Sequence, residues 1–283
     1  MKKFLAVLLA AMMIFTVCAC TKTPADDADT PDTDVQTPDD TKTPDDSQTP
    51  DDETTPDTTE DDGKLVMATN AYFKPYEYYE GETIVGIDAE IAAAIAKKMG
   101  KTLEISDMQF DSILTAVQEG SVDFGMAGMT VNEKRLESVD FTSSYANGVQ
   151  AIIVKEDSPI TTVDDLYAEG AAYKVGVQLG TTGDTYSTDD FGAESVIRYA
   201  NGNEAVLALA GGSIDCVIID NEPAKALVAA NTGLKILETA YADEDYAICV
   251  KKGNTELLDA LNAAIDELTA DGTIDTIIAK YIK

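Results

Sequence analysis

The chain has 283 residues, with 52 acidic against 20 basic side chains, a formal charge of −32 at pH 7, and neither histidine nor tryptophan. Such acidity argues against nucleic acid or an anionic membrane surface as a partner of the folded part. Without histidine there is no Ser-His-Asp triad, no Cys-His dyad and no His-bearing zinc site, so neither a metal nor a cofactor is expected.

The N-terminus opens on a basic start, Met1 to Lys3, followed by a nearly unbroken apolar run from Phe4 to Val17. That run is too short to span a bilayer comfortably and has the layout of a secretory signal. It closes on Val17-Cys18-Ala19-Cys20, which resembles the bacterial lipobox. Residues 1–19 are therefore read as a lipoprotein signal and Cys20 as the lipidated mature N-terminus, with a plain secretory signal cleaved nearby as the alternative. The expected location is the outer face of the bacterial cytoplasmic membrane, held there by the lipid. Residues 20–63 are almost wholly Thr, Pro, Asp, Glu, Ser and Ala, with repeated units such as Thr43-Pro44-Asp45. A segment with no apolar face to bury reads as a disordered, extended tether. What remains is enough for two α/β lobes.

From Lys64 onward, short β-rich runs alternate with helical ones. Lys64–Thr69 reads as a strand, Asp88–Met99 as a helix closed by Gly100, and Thr102–Ser106 as a strand. Helix Ser112–Glu119, closed by Gly120, precedes strand Val122–Ala127. A strand around Gln150–Lys155 leads to a helix at Val163–Tyr167, strand Lys174–Val177 and a helix after Thr182. Strand Ser195–Tyr199, helix Asn203–Ala210, strand Ile214–Asp220, helix Pro223–Ala230 and strand Leu234–Leu237 follow. Leu257, Leu258, Leu261, Ile265 and Leu268 recur at helical spacing behind Asn254 or Thr255 as N-cap. A last helix after Gly272 carries Ile274, Ile277, Ile278 and Tyr281. The fold class is α/β with largely parallel sheets. Cys216 and Cys249 each sit inside an apolar run; two buried thiols are preferred, and a disulfide between them stays open.

Gly120-Ser121-Val122-Asp123 and Gly212-Ser213-Ile214-Asp215 lie 92 residues apart, each between an apolar helix and a buried-type strand. On that offset Gly128 corresponds to Asp220, so the two segments should occupy equivalent strand ends in two similar lobes. In open parallel sheets, ligands sit beyond such ends, where helix N-termini present free N–H groups. Gly128-Met129-Thr130 offers backbone access and a hydroxyl, and Arg135, one of only two arginines, can grip a carboxylate bidentately. Arg135 could equally be an exposed residue paired with Glu133 or Glu137. The turn Gly180-Thr181-Thr182-Gly183 offers hydroxyls and amides to an anion, or simply an N-cap. It is too short for a Walker loop and lacks the lysine, which excludes that form of nucleotide binding. Asp220 offers a negative charge, or a cap for the helix behind it.

Several blocks, in order from about Lys64 to Lys283, resemble the polar amino-acid solute-binding proteins of ABC importers, solute-binding family 3, in lipoprotein form. They are Phe73-Lys-Pro-Tyr-Glu77, Gly86-Ile-Asp-Ala-Glu-Ile91, Phe110-Asp-Ser-Ile113, Ala127 through Arg135, Val139-Asp-Phe141, Gly176 through Gly183, and Asp220-Asn-Glu-Pro-Ala224. The resemblance implies a two-lobed type II periplasmic-binding-protein fold, with 64–149 plus 247–283 as one lobe and 150–246 as the other. Its two hinge crossings are expected near Gln150–Ile153 and Asp245–Ile248. It further implies that the lobes close on one free amino acid. Arg135 would clamp the α-carboxylate, assisted by Thr130 and the Gly128 backbone, with Thr182 and Thr181 reaching it from the second lobe. Asp220 would pair with the ammonium, and Phe73 and Phe110 would sandwich the side chain. An ABC permease and ATPase are the implied partners.

Asn70 departs from the aspartate that relatives of basic or amide specificity often carry after the first strand. That shifts the expectation towards glutamine or another polar neutral amino acid, unless Glu77 or Asp111 supplies a charge for a basic one. The rival reading is a cleft enzyme on the same fold, similar to a cyclohexadienyl dehydratase, with Glu77, Asp111 or Glu222 as general acid.

Overall fold

The structure is a computed structural model and describes residues 63–282. The leader, Cys20 and the Thr/Pro/Asp-rich segment through residue 62 lie outside the described residues. In chain order the elements are β1 (Lys64–Thr69), β2 (Tyr72–Phe73), β3 (Glu77–Glu80), β4 (Thr83–Val85), α1 (Ile87–Lys98), β5 (Thr102–Asp107), α2 (Phe110–Glu119), β6 (Phe124–Gly125), α3 (Glu133–Leu136) and β7 (Val139–Phe141). The chain continues through β8 (Ala146–Lys155), a 3-10 helix at Val163–Tyr167, β9 (Val175–Gln178), α4 (Thr182–Phe191), β10 (Val196–Tyr199), α5 (Gly202–Ala210), β11 (Cys216–Asp220) and α6 (Asn221–Ala230). It ends with β12 (Leu234–Ile236), β13 (Ala242–Tyr246), β14 (Cys249–Lys251), α7 (Thr255–Ala270) and α8 (Thr273–Tyr281).

Two mixed sheets carry the fold, one ordered β5-β1-β6-β14-β7 and the other β10-β9-β11-β8-β12, with β13 also pairing β8. The expectation of largely parallel sheets needs correcting. In each sheet three strands joined by helical crossovers run parallel, β5-β1-β6 and β10-β9-β11. The strands added to them, β14 and β7 in one and β8, β12 and β13 in the other, pair antiparallel. Helical crossovers return strands in the same direction, whereas β8 and β14 are entered directly from the other sheet.

The chain passes between the sheets twice, from β7 to β8 through Thr142–Tyr145 and from β13 to β14 through Ala247 and Ile248. The two passages run side by side. Tyr145 N–H donates to the Tyr246 carbonyl at 3.0 Å and Thr142 N–H to that of Ile248 at 3.0 Å, while the Ile248 N–H donates to the Thr142 hydroxyl at 3.1 Å. The first passage therefore precedes the expected Gln150–Ile153, and Ala146–Val149 belongs to the second sheet. Those four residues look too polar for a strand start, but β13 pairs them, Tyr246 opposite Ala146 and Asp243 opposite Val149.

The remaining differences are local. Helix α2 starts at Phe110 rather than Ser112, and Val163–Tyr167 is a 3-10 helix. A third, three-stranded sheet, β2-β3-β4, escaped the pattern reading because its strands are so short. The repeat survives as structure. Gly120 and Gly212 both adopt positive φ, 78° and 76°, and β6 and β11 begin in equivalent places. Helices α7 and α8 bury Leu261, Ile265, Leu268 and Ile274 against the core of the first lobe, which returns the C-terminus to the sheet where the described chain began. Cys216 and Cys249 are free, buried thiols in different sheets, and burial pushes both up to about 12.

Candidate functional site

Between the carboxyl ends of the two sheets lies a narrow cleft, lined from both sides. Asn70 follows β1, Phe73 ends β2, Phe110 opens α2, Gly128 and Thr130 follow β6, and Arg135 sits in α3. Opposite them, Thr181 and Thr182 begin α4 and Asp220 ends β11. All nine ligand-site positions expected from the sequence line this one cleft.

Arg135 is placed by a four-residue helix whose N-cap, Asn132, accepts from the Arg135 N–H at 2.8 Å. Its side chain is buried, not exposed, so the surface reading falls. One guanidinium nitrogen donates to the Thr130 carbonyl at 2.6 Å, another to the Gly180 carbonyl of the second lobe at 3.2 Å, and the group lies 5.5 Å from the centre of the Phe110 ring. Among the described residues no carboxylate pairs with it. Desolvation lowers its pKa, and the nearby Glu244 charge opposes that. The other arginine, Arg198, is half-exposed and bonded to Asp184 at 2.9 Å.

Three of the expected contacts are modified by the hydrogen bonding. The Gly128 N–H points to Asp88 at 2.8 Å, which leaves its carbonyl rather than its amide for a ligand. Gly128 is also required by space, because it has φ of 53° and a Cβ there would sit 2.7 Å from the Phe73 ring. Thr181 is the N-cap of α4, accepting from Asp184 N–H at 3.2 Å and donating to the Gln178 carbonyl at 2.8 Å, so its hydroxyl proton is already engaged. Thr182 is buried at the first position of that helix, where the free amides and the helix dipole favour an anion. Asp220 holds both of its readings at once. It caps α6 through the Glu222 N–H at 3.1 Å, and it accepts from the Val149 N–H at 3.0 Å and from the Tyr246 hydroxyl while lining the cleft. Burial pushes its carboxyl up to about 6 against those donors.

The opposite end of the cleft is less completely bonded. Asn70 donates to the Met108 carbonyl at 2.8 Å and accepts from Gln178 of the second lobe at 2.9 Å, so its amide ties the lobes together. Phe73 stacks on Tyr76 with centroids 5.6 Å apart. Gln150 donates to Glu244 at 2.8 Å, leaving one oxygen of each without a donor, and both oxygens of the fully buried Glu77 have none.

Gln150, Gln178, Glu244 and Tyr246 were not singled out from sequence as cleft residues. Gln178 lay inside a recognised block, but Gln150 and Glu244 face the cleft from strands with no motif. Their only signal is a polar side chain at an inward position of a β-strand. Of the three acids nominated for catalysis, only Glu77 lines the cleft. Asp111 is exposed beside a separate groove, and Glu222 bonds Lys225.

The profile of the bacterial extracellular solute-binding proteins, family 3, matches residues 65–283. The chain is similar to the arginine-binding extracellular protein ArtP of Bacillus subtilis, 32% identical over 223 residues, covering 77% of this chain and 86% of ArtP. Among solved structures it resembles an ancestral arginine-binding protein bound to glutamine. That pair has 39% identity and a TM-score of 0.73, covering 78% of this chain and 98% of the other. The structure of an ancestral arginine-binding protein bound to arginine matches with TM-score 0.72, 39% identity and coverage of 78% and 99%.

Proposed function

The chain belongs to the family 3 bacterial extracellular solute-binding proteins, and from that premise we propose that it captures a free amino acid between its lobes and delivers it to the permease and ATPase of an ABC importer. One observation carries the reading. A buried arginine with no carboxylate partner among the described residues and a buried aspartate face the same cleft from different lobes. A zwitterion needs such a pair, a cation for its carboxylate and an anion for its ammonium.

In this reading the carboxylate lies between Arg135 and the N-terminus of α4, with the Thr130 and Thr182 hydroxyls as donors. The ammonium meets Asp220 and the Gly128 carbonyl. The side chain extends past Phe73 and Phe110 towards Asn70, Gln178 and Glu77. Charge-assisted hydrogen bonds of this kind contribute about 1.5–3 kcal/mol each. The ligand would bridge the lobes, joining the direct contacts Arg135–Gly180 and Asn70–Gln178, so binding favours the closed form by its differential contacts. The paired, antiparallel passages at Thr142–Tyr145 and Ala247–Ile248 would act as the hinge. Two similar structures, one bound to arginine and one to glutamine, support a polar or basic side chain in the ligand. Lipidation at Cys20 and the tether behind it would hold the receptor at the outer face of the membrane near its permease.

The matched relatives are binding proteins rather than enzymes, and no group beyond Glu77 favours the catalytic alternative. Isothermal titration of the protein with each of the twenty amino acids tests the proposal. Tight one-to-one binding of a small set, lost in Arg135→Ala, is expected. No heat from any of them would overturn it.

A further inference from the structure

At and just behind the side-chain end of the cleft, three buried carboxyl oxygens have no N–H or hydroxyl donor among the described residues, both of Glu77 and Oδ1 of Asp88. Glu77 is the first residue of β3 and Asp88 lies in the first turn of α1; both are 0% exposed. The other Asp88 oxygen accepts from the Gly128 N–H and the Tyr145 hydroxyl, each at 2.8 Å. The two carboxyls stand within hydrogen-bonding reach of each other.

The charges that act on Glu77 are acidic, Asp88 from α1 and Asp107 from the end of β5. The Tyr76 and Tyr145 hydroxyls face the pair, and Asp220 and Glu222 act on Tyr76 from the second lobe. Two carboxyls so placed, out of water and without a cation, do not both ionise. Burial lifts Asp88 to about 6 against its two donors, so at neutral pH it is the one that carries the charge. Glu77 has none, holds the proton well above the usual carboxyl range, and donates it to Asp88. Its second oxygen remains for the cleft.

Resting on the amino-acid reading above, we infer that Glu77 is a specificity residue with two settings. Protonated, it accepts a hydrogen bond from an uncharged amide side chain. When the ligand brings a cationic side chain, the Glu77 O–H bond breaks, the proton leaves to solvent, and the carboxylate pairs with the cation. A cation brought into a closed cleft needs an anion in contact. Asp220 is taken by the ammonium, Glu244 stands with Gln150 and Arg135, and Asp88 is held by Gly128 and Tyr145. Cationic and amide ligands then differ by one released proton.

Titration calorimetry of the whole protein with arginine and with glutamine, each in phosphate and in Tris, reads this directly, because the two buffers differ in ionisation heat. Any proton leaving Asp220 is common to both ligands, since both bring an ammonium, so their difference isolates Glu77. Arginine should release about one proton more than glutamine, and its affinity relative to glutamine should rise by up to about tenfold per pH unit while Glu77 holds its proton. Glu77→Gln, checked for folding by circular dichroism, should abolish that difference in proton release. The wild-type comparison decides the matter even if the variant misfolds. Equal proton release by the two ligands, or binding of only one of them, overturns the inference. No heat from any amino acid overturns instead the receptor reading on which it rests.

Discussion

In the first lobe, α2, Gly120 and Asp123 lead into β6; in the second, α5, Gly212 and Asp215 lead into β11, 92 residues further on. The turns share their main backbone bonds. Ser121 N–H returns to the Ala116 carbonyl at 3.1 Å and Ser213 N–H to that of Ala208 at 2.9 Å. Asp123 exchanges bonds with the backbone of Val66 on β1, as Asp215 does with that of Lys174 just before β9. In both places a carboxylate satisfies an N–H at the start of a neighbouring strand, where the ladder has no other acceptor.

At the far ends the resemblance stops. Three residues beyond one strand lies Gly128, where a side chain would strike Phe73; the other strand ends on a buried carboxylate. Backbone hydrogen bonding imposes the same demand on both lobes, whereas a zwitterion imposes opposite demands on their two ends. The scaffold is duplicated and the chemistry is not.

The largest expected effect lies at the diverged ends. Arg135→Ala should weaken binding by about 2–5 kcal/mol, the cost of leaving a buried charge without its partner. An affinity within threefold of wild type, read by titration calorimetry, would place the carboxylate elsewhere. The partner end carries a pH signature. Burial lifts Asp220 to about 6, so the folded state holds that proton more tightly than the unfolded chain. The resulting stability is complete below the ordinary carboxyl value near 4 and is lost as pH rises through about 6. Asp220→Asn should therefore gain on wild type, between pH 4 and pH 7.5, by on the order of 2–3 kcal/mol in urea unfolding. A difference that stays flat with pH would mean that Asp220 keeps its charge.

The matched turns should respond alike but unequally. Asp123→Asn should cost about 1–2 kcal/mol and Asp215→Asn less, since the first bond is shorter and less exposed, 2.6 Å against 2.8 Å. Equal losses in chemical denaturation would separate the cost from burial. Smallest is Arg198→Ala, which removes an ion pair at the surface of the second lobe. About 0.2–1 kcal/mol of stability and no change in affinity are expected. A tenfold loss of affinity would mean instead that Arg198 positions the N-terminus of α4 through Asp184.

Much of this molecule is legible in its sequence because its signals are local. Apolar periodicity, glycines that adopt positive φ and side-chain caps located the longer helices and strands. The blocks around Phe73, Gly128–Arg135, Gly180–Thr182 and Asp220 named residues that share one cleft, because each lies at a strand end or helix start, where short-range rules say a ligand can approach. What stayed hidden depends on partners distant in the chain. Ala146–Val149 becomes strand only because β13 arrives about a hundred residues later to pair with it. Thr181 and the Gly128 amide lie where expected, yet hydrogen bonds formed within the fold had already engaged them.

The sequence by itself determined that the chain is α/β, that its two halves repeat, and that Arg135 and Asp220 are the charged residues to watch. Only the tertiary structure decided that Glu77 and Asp88 meet out of water, with Gln150 and Glu244 closing the cleft beside Arg135. Burial and proximity are properties of packed pairs, and a carboxylate's proton affinity follows from what packs around it rather than from its neighbours in the chain.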